Sequence, residues 1–127
     1  MAHVRVLVAV WAAWAWLTAL AYLDGPEISH LQPIVDIVAE HWWSWLWGAA
    51  AAMLTLGLTP WRGSGWARVA GLAVIAGLCT AWAASFALMW LEGETARGWV
   101  SAKNYALQAS LAMGSAWWVS VKGSFDQ

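Results

Sequence analysis

Charge is scarce in this chain. Asp, Glu, Lys and Arg make up 10% of its 127 residues, where a soluble domain carries about 25%. Six basic residues face seven acidic ones, a formal net charge of −1, so no strong field of either sign draws nucleic acid or an anionic surface. Four arginines and two lysines are too few to line a phosphate-binding groove. Cysteine is nearly absent as well. Cys79 stands alone in an apolar run, which excludes a disulfide, a thiol zinc site or a dithiol redox pair within one chain. It reads as a small buried apolar residue. Proline occurs three times, at Pro26, Pro33 and Pro60, always between the long apolar runs.

Ionisable residues are missing where membrane chemistry needs them. Catalysis or coupled transport within lipid rests on a charged or titratable side chain placed inside a span. The middles of the four apolar runs carry only Thr18, Thr55, Thr80, Ser85, Gln108, Ser110 and Ser115 as polar residues. This weighs against a proton-coupled transporter, a multidrug exporter, an intramembrane protease or any other enzyme. A membrane b-type haem needs axial ligands inside the helices. His3 and His30 lie outside the runs and His41 at an edge, so no cofactor is expected.

Hydrophobic residues are abundant, at 62%, and fourteen residues are tryptophan. A 127-residue globule leaves too much surface exposed to hide that much apolar area from water. Lipid is the better solvent. The apolar runs are Val6–Leu23, Trp42–Leu58, Ala67–Leu91 and Ala102–Val121, separated by Asp24-Gly25-Pro26, Thr59-Pro60 and Glu92-Gly93. At ~1.5 Å rise per residue each is long enough to span, and the third is long enough to tilt. The expected fold is therefore an all-α integral membrane protein. It would be a single membrane domain over 1–127, with spans near 6–23, 42–58, 67–91 and 102–121. Arg5 followed by the first run and Ala19-Leu20-Ala21 also has the outline of a cleavable secretory signal. The tryptophans within the run and its length favour a retained span, and cleavage would leave three.

Basic residues set the expected orientation. Arg5, Arg62, Arg68 and Lys122 fall on one side if all four runs span, against Arg97 and Lys103 on the other. The positive-inside rule then puts both termini in the cytoplasm. Tryptophan prefers the lipid–water boundary. Trp42, Trp43, Trp45, Trp47, Trp90 and Trp99 would mark the outer boundary, and Trp61, Trp66, Trp117 and Trp118 the inner one. Trp11, Trp14, Trp16 and Trp82 lie deeper, between helices or facing lipid. The outer segment 24–41 reads as a turn at Gly25-Pro26, then an amphipathic stretch opened by Pro33, a residue suited to the first helical position. Its His30, Asp36, Glu40 and His41 match no firm metal motif. They read as a solvated acidic face.

Small residues recur at four-residue spacing on two helices. Ala73, Gly77, Ala81 and Ser85 form one stripe, and Ala102, Ala106, Ser110 and Gly114 another. Such stripes let helix backbones approach closely where the hydrophobic effect is silent. They are the candidate packing or oligomerisation residues, with Gln108 and Ser110 as interhelical hydrogen-bonding groups.

Several spans in a tiny chain, short loops, no catalytic group and close-packing stripes resemble the multi-span holins and holin-like proteins of actinobacteriophages. The bias toward Ala, Trp and Gly, and toward Arg over Lys, favours residues with G/C-rich codons and fits a high-GC source. The resemblance lies in architecture and composition and includes no diagnostic motif. It implies accumulation in the bacterial cytoplasmic (inner) membrane, self-association and permeabilisation during phage lysis. The basic tail familiar in holins is missing, since Ser120–Gln127 carries only Lys122 and Asp126 as charges. The alternative is a membrane scaffold or accessory subunit with no pore activity. Either way the expected partners are the bilayer, further copies or other membrane subunits, and not nucleic acid.

Overall fold

A computed structural model of the chain describes residues 2–23 and 40–124. The described residues are all-helical, with no strand: α1 (Ala2–Ala21), α2 (Glu40–Leu58), α3 (Ser64–Leu91) and α4 (Gly98–Ser124). Each starts a few residues before one predicted run; α2, α3 and α4 contain theirs in full, while α1 ends at Ala21, two residues short of the expected Leu23.

The helices pack in chain order, α1 on α2, α2 on α3 and α3 on α4, while α1 meets α3 over a short stretch. Neighbours run antiparallel. Ser44 Oγ near the start of α2 donates to the carbonyl of Ala19 near the end of α1, at 2.9 Å. Arg68 Nε on α3 donates to the Gly57 carbonyl at the end of α2, at 2.6 Å. Trp82 and Tyr105 bring the far end of α3 against the start of α4, ring centroids 4.9 Å apart. This up-down order gathers Arg5, Arg62, Arg68 and Lys122 at one end. Glu92, Glu94, Arg97 and Lys103 lie at the other.

The α3–α4 connection is tight for a local reason. Gly93 adopts φ 78°, the left-handed conformation that closes a helix with a Schellman motif. Glu94 N–H donates to the Met89 carbonyl at 3.0 Å and Gly93 N–H to that of Trp90 at 3.1 Å. Gly98 then starts α4 so close to α3 that an added Cβ would stand 2.8 Å from the Phe86 carbonyl oxygen.

The core is built from small side chains at alternating three- and four-residue steps. On α1 they are Val4, Val8, Ala12, Ala15 and Ala19, and on α4 Ala109, Ala112, Ala116 and Val119. This spacing keeps one seam facing a neighbour along a helix. Where alanine lets backbones close in, large rings fill the remaining space. Trp43 and Trp47 on α2 and Trp82 on α3 are buried, and Cys79 is fully buried beside them.

Among the described residues, α1 and α3 are the helices long and apolar enough to cross a membrane by length and composition. The expectation of four such spans exceeds what the helices show at that level. Four tryptophans plus Ser44 and Thr55 dilute α2, and Lys103, Asn104 and Gln108 dilute α4. The indole N–H makes tryptophan an amphipathic residue, bulky yet less apolar than leucine.

Candidate functional site

The two small-residue stripes occupy different environments. On α3, Ala73 and Gly77 face outward, Ala81 is half-buried and Ser85 is fully buried. Helix geometry causes this, because a four-residue step overshoots one turn of 3.6 residues by about 40°. Three steps therefore carry a stripe roughly a third of the way around the helix. The α4 stripe stays on the outside, with Ala102 half-buried and Ala106, Ser110 and Gly114 outward. A Cβ added at Gly77 or Gly114 would meet no heavy atom within 4 Å. Neither glycine is therefore a point of close approach inside one chain.

The α4 stripe instead floors an outward groove of about 560 Å³. Ala106, Ser110 and Gly114 line it from α4, Thr80 and Ala83 from α3, and Met113 and Trp117 rise from α4 beside it. The hydroxyls in the floor are already satisfied. Thr80 Oγ1 donates to the Ala76 carbonyl at 2.8 Å and Ser110 Oγ to that of Ala106 at 2.9 Å. Ser110 thus bonds within its own helix and makes no bridge across the groove. Gln108 does reach across, as Cys79 Sγ lies 3.9 Å from its Oε1.

Close approach inside the chain occurs at other glycines. A Cβ on Gly71 would stand 2.8 Å from Leu54 Cγ and 3.1 Å from the Ala50 carbonyl oxygen. One on Gly57 would stand 2.6 Å from Arg68 Cγ and 3.2 Å from the Arg68 nitrogen. These two positions fix the α2–α3 contact, and neither belongs to a four-residue stripe.

The tryptophans divide into a rim and a core. Trp42, Trp45, Trp90 and Trp99 face outward toward one end, and Trp61, Trp66, Trp117 and Trp118 toward the other. Cation–π contacts reinforce both rims, with Lys103 Nζ 5.6 Å from the Trp99 ring and Lys122 Nζ 5.3 Å from Trp118. Trp43 and Trp47 depart from the expected boundary role, since both turn inward from the same helix that turns Trp42 and Trp45 outward. They join a chain of rings running through the molecule: Trp14–Trp47 at 5.0 Å, Trp47–Trp82 at 5.4 Å and Tyr22–Trp82 at 5.3 Å. The indole nitrogens of Trp43, Trp47 and Trp82 and the hydroxyl of Ser85 are buried with no hydrogen-bond partner among the described residues. Such orphaned donors are uncommon and costly in a native core. Of the deeper tryptophans, Trp11 Nε1 donates to Ser115 Oγ at 3.2 Å and Trp16 Nε1 to Thr55 Oγ1 at 3.1 Å.

His30 and Asp36 lie outside the described residues, and Glu40 and His41 are described by backbone alone. No family model matches the chain, and no curated protein or solved structure is significantly similar to it.

Proposed function

We propose that this is a four-span protein of a bacterial cytoplasmic membrane, with both termini in the cytoplasm, that self-associates and permeabilises that membrane in the manner of a phage holin. One observation carries the membrane part. Large apolar side chains face outward on every helix, including Val6, Val10 and Leu17 on α1, Leu56 on α2, Leu88 on α3, and Leu107, Leu111 and Met113 on α4. A water-soluble monomer rarely exposes contiguous apolar patches beyond a few hundred Å². Lipid contact removes that penalty, including for the outward leucines of α2 and α4, helices whose average hydropathy falls short of a span. The clustering of Arg5, Arg62, Arg68 and Lys122 at one end supports the orientation.

Self-association draws on the outward groove. An alanine-, serine- and glycine-floored surface with nothing packed on it lets another helix approach to backbone distance. Many copies packing this way would account for a lesion that opens sharply with concentration.

Cysteine labelling tests the topology. In a Cys79→Ala background, Ser29→Cys should react with an impermeant thiol reagent on spheroplasts and Ser64→Cys should not; the reverse pattern refutes the orientation. Induced expression tests the activity. Growth should continue and then give way to an abrupt loss of membrane potential, with lysis when an endolysin is present. Gly114→Leu should delay or abolish that event. Toxicity graded with expression and indifferent to Gly114→Leu would refute the lesion, and full expression with the potential intact would favour a scaffold or accessory subunit.

A further inference from the structure

The first and last helices do not close the bundle. The helices pack in chain order, and α1 and α4 barely touch. What joins them is the Trp11–Ser115 hydrogen bond at 3.2 Å and, further along, the Trp82 ring lying between Tyr22 and Tyr105. Between these links a groove of about 370 Å³ opens sideways out of the helical assembly. That size falls within the range of small-molecule sites, about 300–1,000 Å³.

Its lining differs from the rest of the exterior. Trp14, Tyr22, Trp82 and Tyr105 supply aromatic surfaces, and Thr18 and Gln108 supply polar groups. The Trp82 ring is fixed by Tyr105 at 79° and by Tyr22 at 60°. Among the described residues no charged side chain lines the groove.

The hydrogen-bonding character is that of a donor site. Thr18 Oγ1 is committed to the Trp14 carbonyl at 2.8 Å. Gln108 Oε1 faces the Cys79 thiol, which leaves its amide N–H groups to donate. The phenols of Tyr22 and Tyr105 add two O–H donors. Behind them the Trp82 indole N–H is buried without an acceptor. Flat aromatic walls with uncharged donors suit a flat, neutral ring that carries carbonyl oxygens.

We propose that this groove binds a membrane-soluble carbonyl-bearing ring of the quinone class, entering sideways from the lipid. The inference rests on the membrane reading above but not on self-association or lesion formation. Gln108 donates to a ring carbonyl, and the half-buried Trp14, Tyr22 and Tyr105 supply the aromatic surface the ring meets, with Trp82 buried behind them.

The test uses the full chain in lipid nanodiscs, with incorporation verified first. A chain that stays soluble without lipid would overturn the membrane reading before the site is probed. The probes are menadione, a naphthoquinone lacking a tail, and methylnaphthalene, of similar shape without carbonyls. Calorimetry against empty nanodiscs should show saturable one-to-one binding of menadione, about tenfold tighter than methylnaphthalene, as one hydrogen bond predicts. In proton–nitrogen NMR the indole signals of Trp14 and Trp82, assigned with Trp14→Phe and Trp82→Phe, should shift while those of Trp66 and Trp117 stay fixed. Gln108→Leu should erase the tenfold preference. Ala21→Phe, at an outward-facing position lining the groove, should block both probes and leave the Trp117 signal unchanged. Binding no different from partition into empty nanodiscs, equal affinity for the two probes, or indole shifts spread over the rim tryptophans would each overturn the proposal.

Discussion

Gly71 and Gly77 lie on the same helix six residues apart, and replacing each with alanine should move stability in opposite directions. A methyl group at Gly71 would stand 2.8 Å from Leu54 Cγ, 2.9 Å from Leu54 Cδ2 and 3.1 Å from the Ala50 carbonyl oxygen. Carbon atoms pack best at about 3.5–4.0 Å, so the nearest contact is short by at least ~0.7 Å. Leu54 and Ala50 are fully buried on the same helix, and the Ala50 contact is with a backbone atom that cannot turn aside. Relief therefore requires α2 itself to move. Overpacking of this kind costs about 1–3 kcal/mol. Against it stands the helix-forming advantage of alanine over glycine, about 1 kcal/mol. Gly71→Ala should thus be destabilising by up to about 2 kcal/mol, and by about 1 kcal/mol at the middle of that range.

At Gly77 the steric cost vanishes, because no heavy atom lies within 4 Å of the added carbon. Gly77→Ala should be neutral or stabilising by up to about 1 kcal/mol. The difference between the variants is the informative quantity, since the propensity contribution cancels whatever its size in a lipid-like solvent. It should come to about 1–3 kcal/mol. Reversible unfolding in mixed micelles of mild detergent and dodecyl sulfate, followed by tryptophan fluorescence, measures it directly. Two variants within about 0.5 kcal/mol of each other, the usual scatter of surface substitutions, would refute the close α2–α3 approach.

Two further pairs of substitutions read the ring chain and the same contact. Trp47→Ala empties a position that is 0% exposed, whereas Trp45→Ala trims one that is 72% exposed; the first should cost about 3–5 kcal/mol and the second within about 0.5 kcal/mol, by the same unfolding assay. Arg68→Met removes the 2.6 Å bond from Nε to the Gly57 carbonyl and should cost about 1.5–3 kcal/mol, the value of a hydrogen bond to a charged group. Arg68→Lys keeps the charge but not the guanidinium geometry, and should recover less than half of the loss. Full recovery by lysine would show that charge at the end of α2, and not the directed bond, is what matters.

The helices were legible because each is announced by a long apolar run and ended by proline, glycine or charge, and these are local signals. The inward faces were harder. Four-residue spacing picks out Ala102, Ala106, Ser110 and Gly114, yet the residues that face α3 include Ala109, Ala112, Ala116 and Val119, one register over. In a helix this rich in alanine both series look alike, and only the alternation of three- and four-residue steps separates a seam from a stripe that winds away. Similarly, Trp42, Trp43, Trp45 and Trp47 read as one boundary cluster when taken by position along the chain. Taken by angle, Trp43 and Trp47 are four apart and share a face, with Ala50, Ala51 and Leu54 continuing it. The aromatic core is thus encoded in periodicity, while its partners Tyr22, Trp82 and Tyr105 depend on tertiary packing that no local pattern reveals.

The division of the tryptophans also explains how so small a chain builds a core at all. On the membrane reading proposed above, little hydrophobic drive brings helices together, so attraction rests on packing contacts and hydrogen bonds. Alanine seams bring backbones near but offer few atoms to touch. Buried rings supply many, and edge-to-face pairs such as Trp14–Trp47, at 5.0 Å and 88°, add about 0.5–1.5 kcal/mol beyond area. The cost is polar. Each indole carries a donor, and three of them are buried without an acceptor among the described residues. Phenylalanine would fill much of the same space without that penalty. Of the three, Trp82 alone lines the groove, so its N–H is the one that an occupant would stand nearest. If Trp82→Phe left the empty protein as stable as before, or more so, yet weakened menadione binding, the indole N–H would be contributing to the occupied groove and not to the fold.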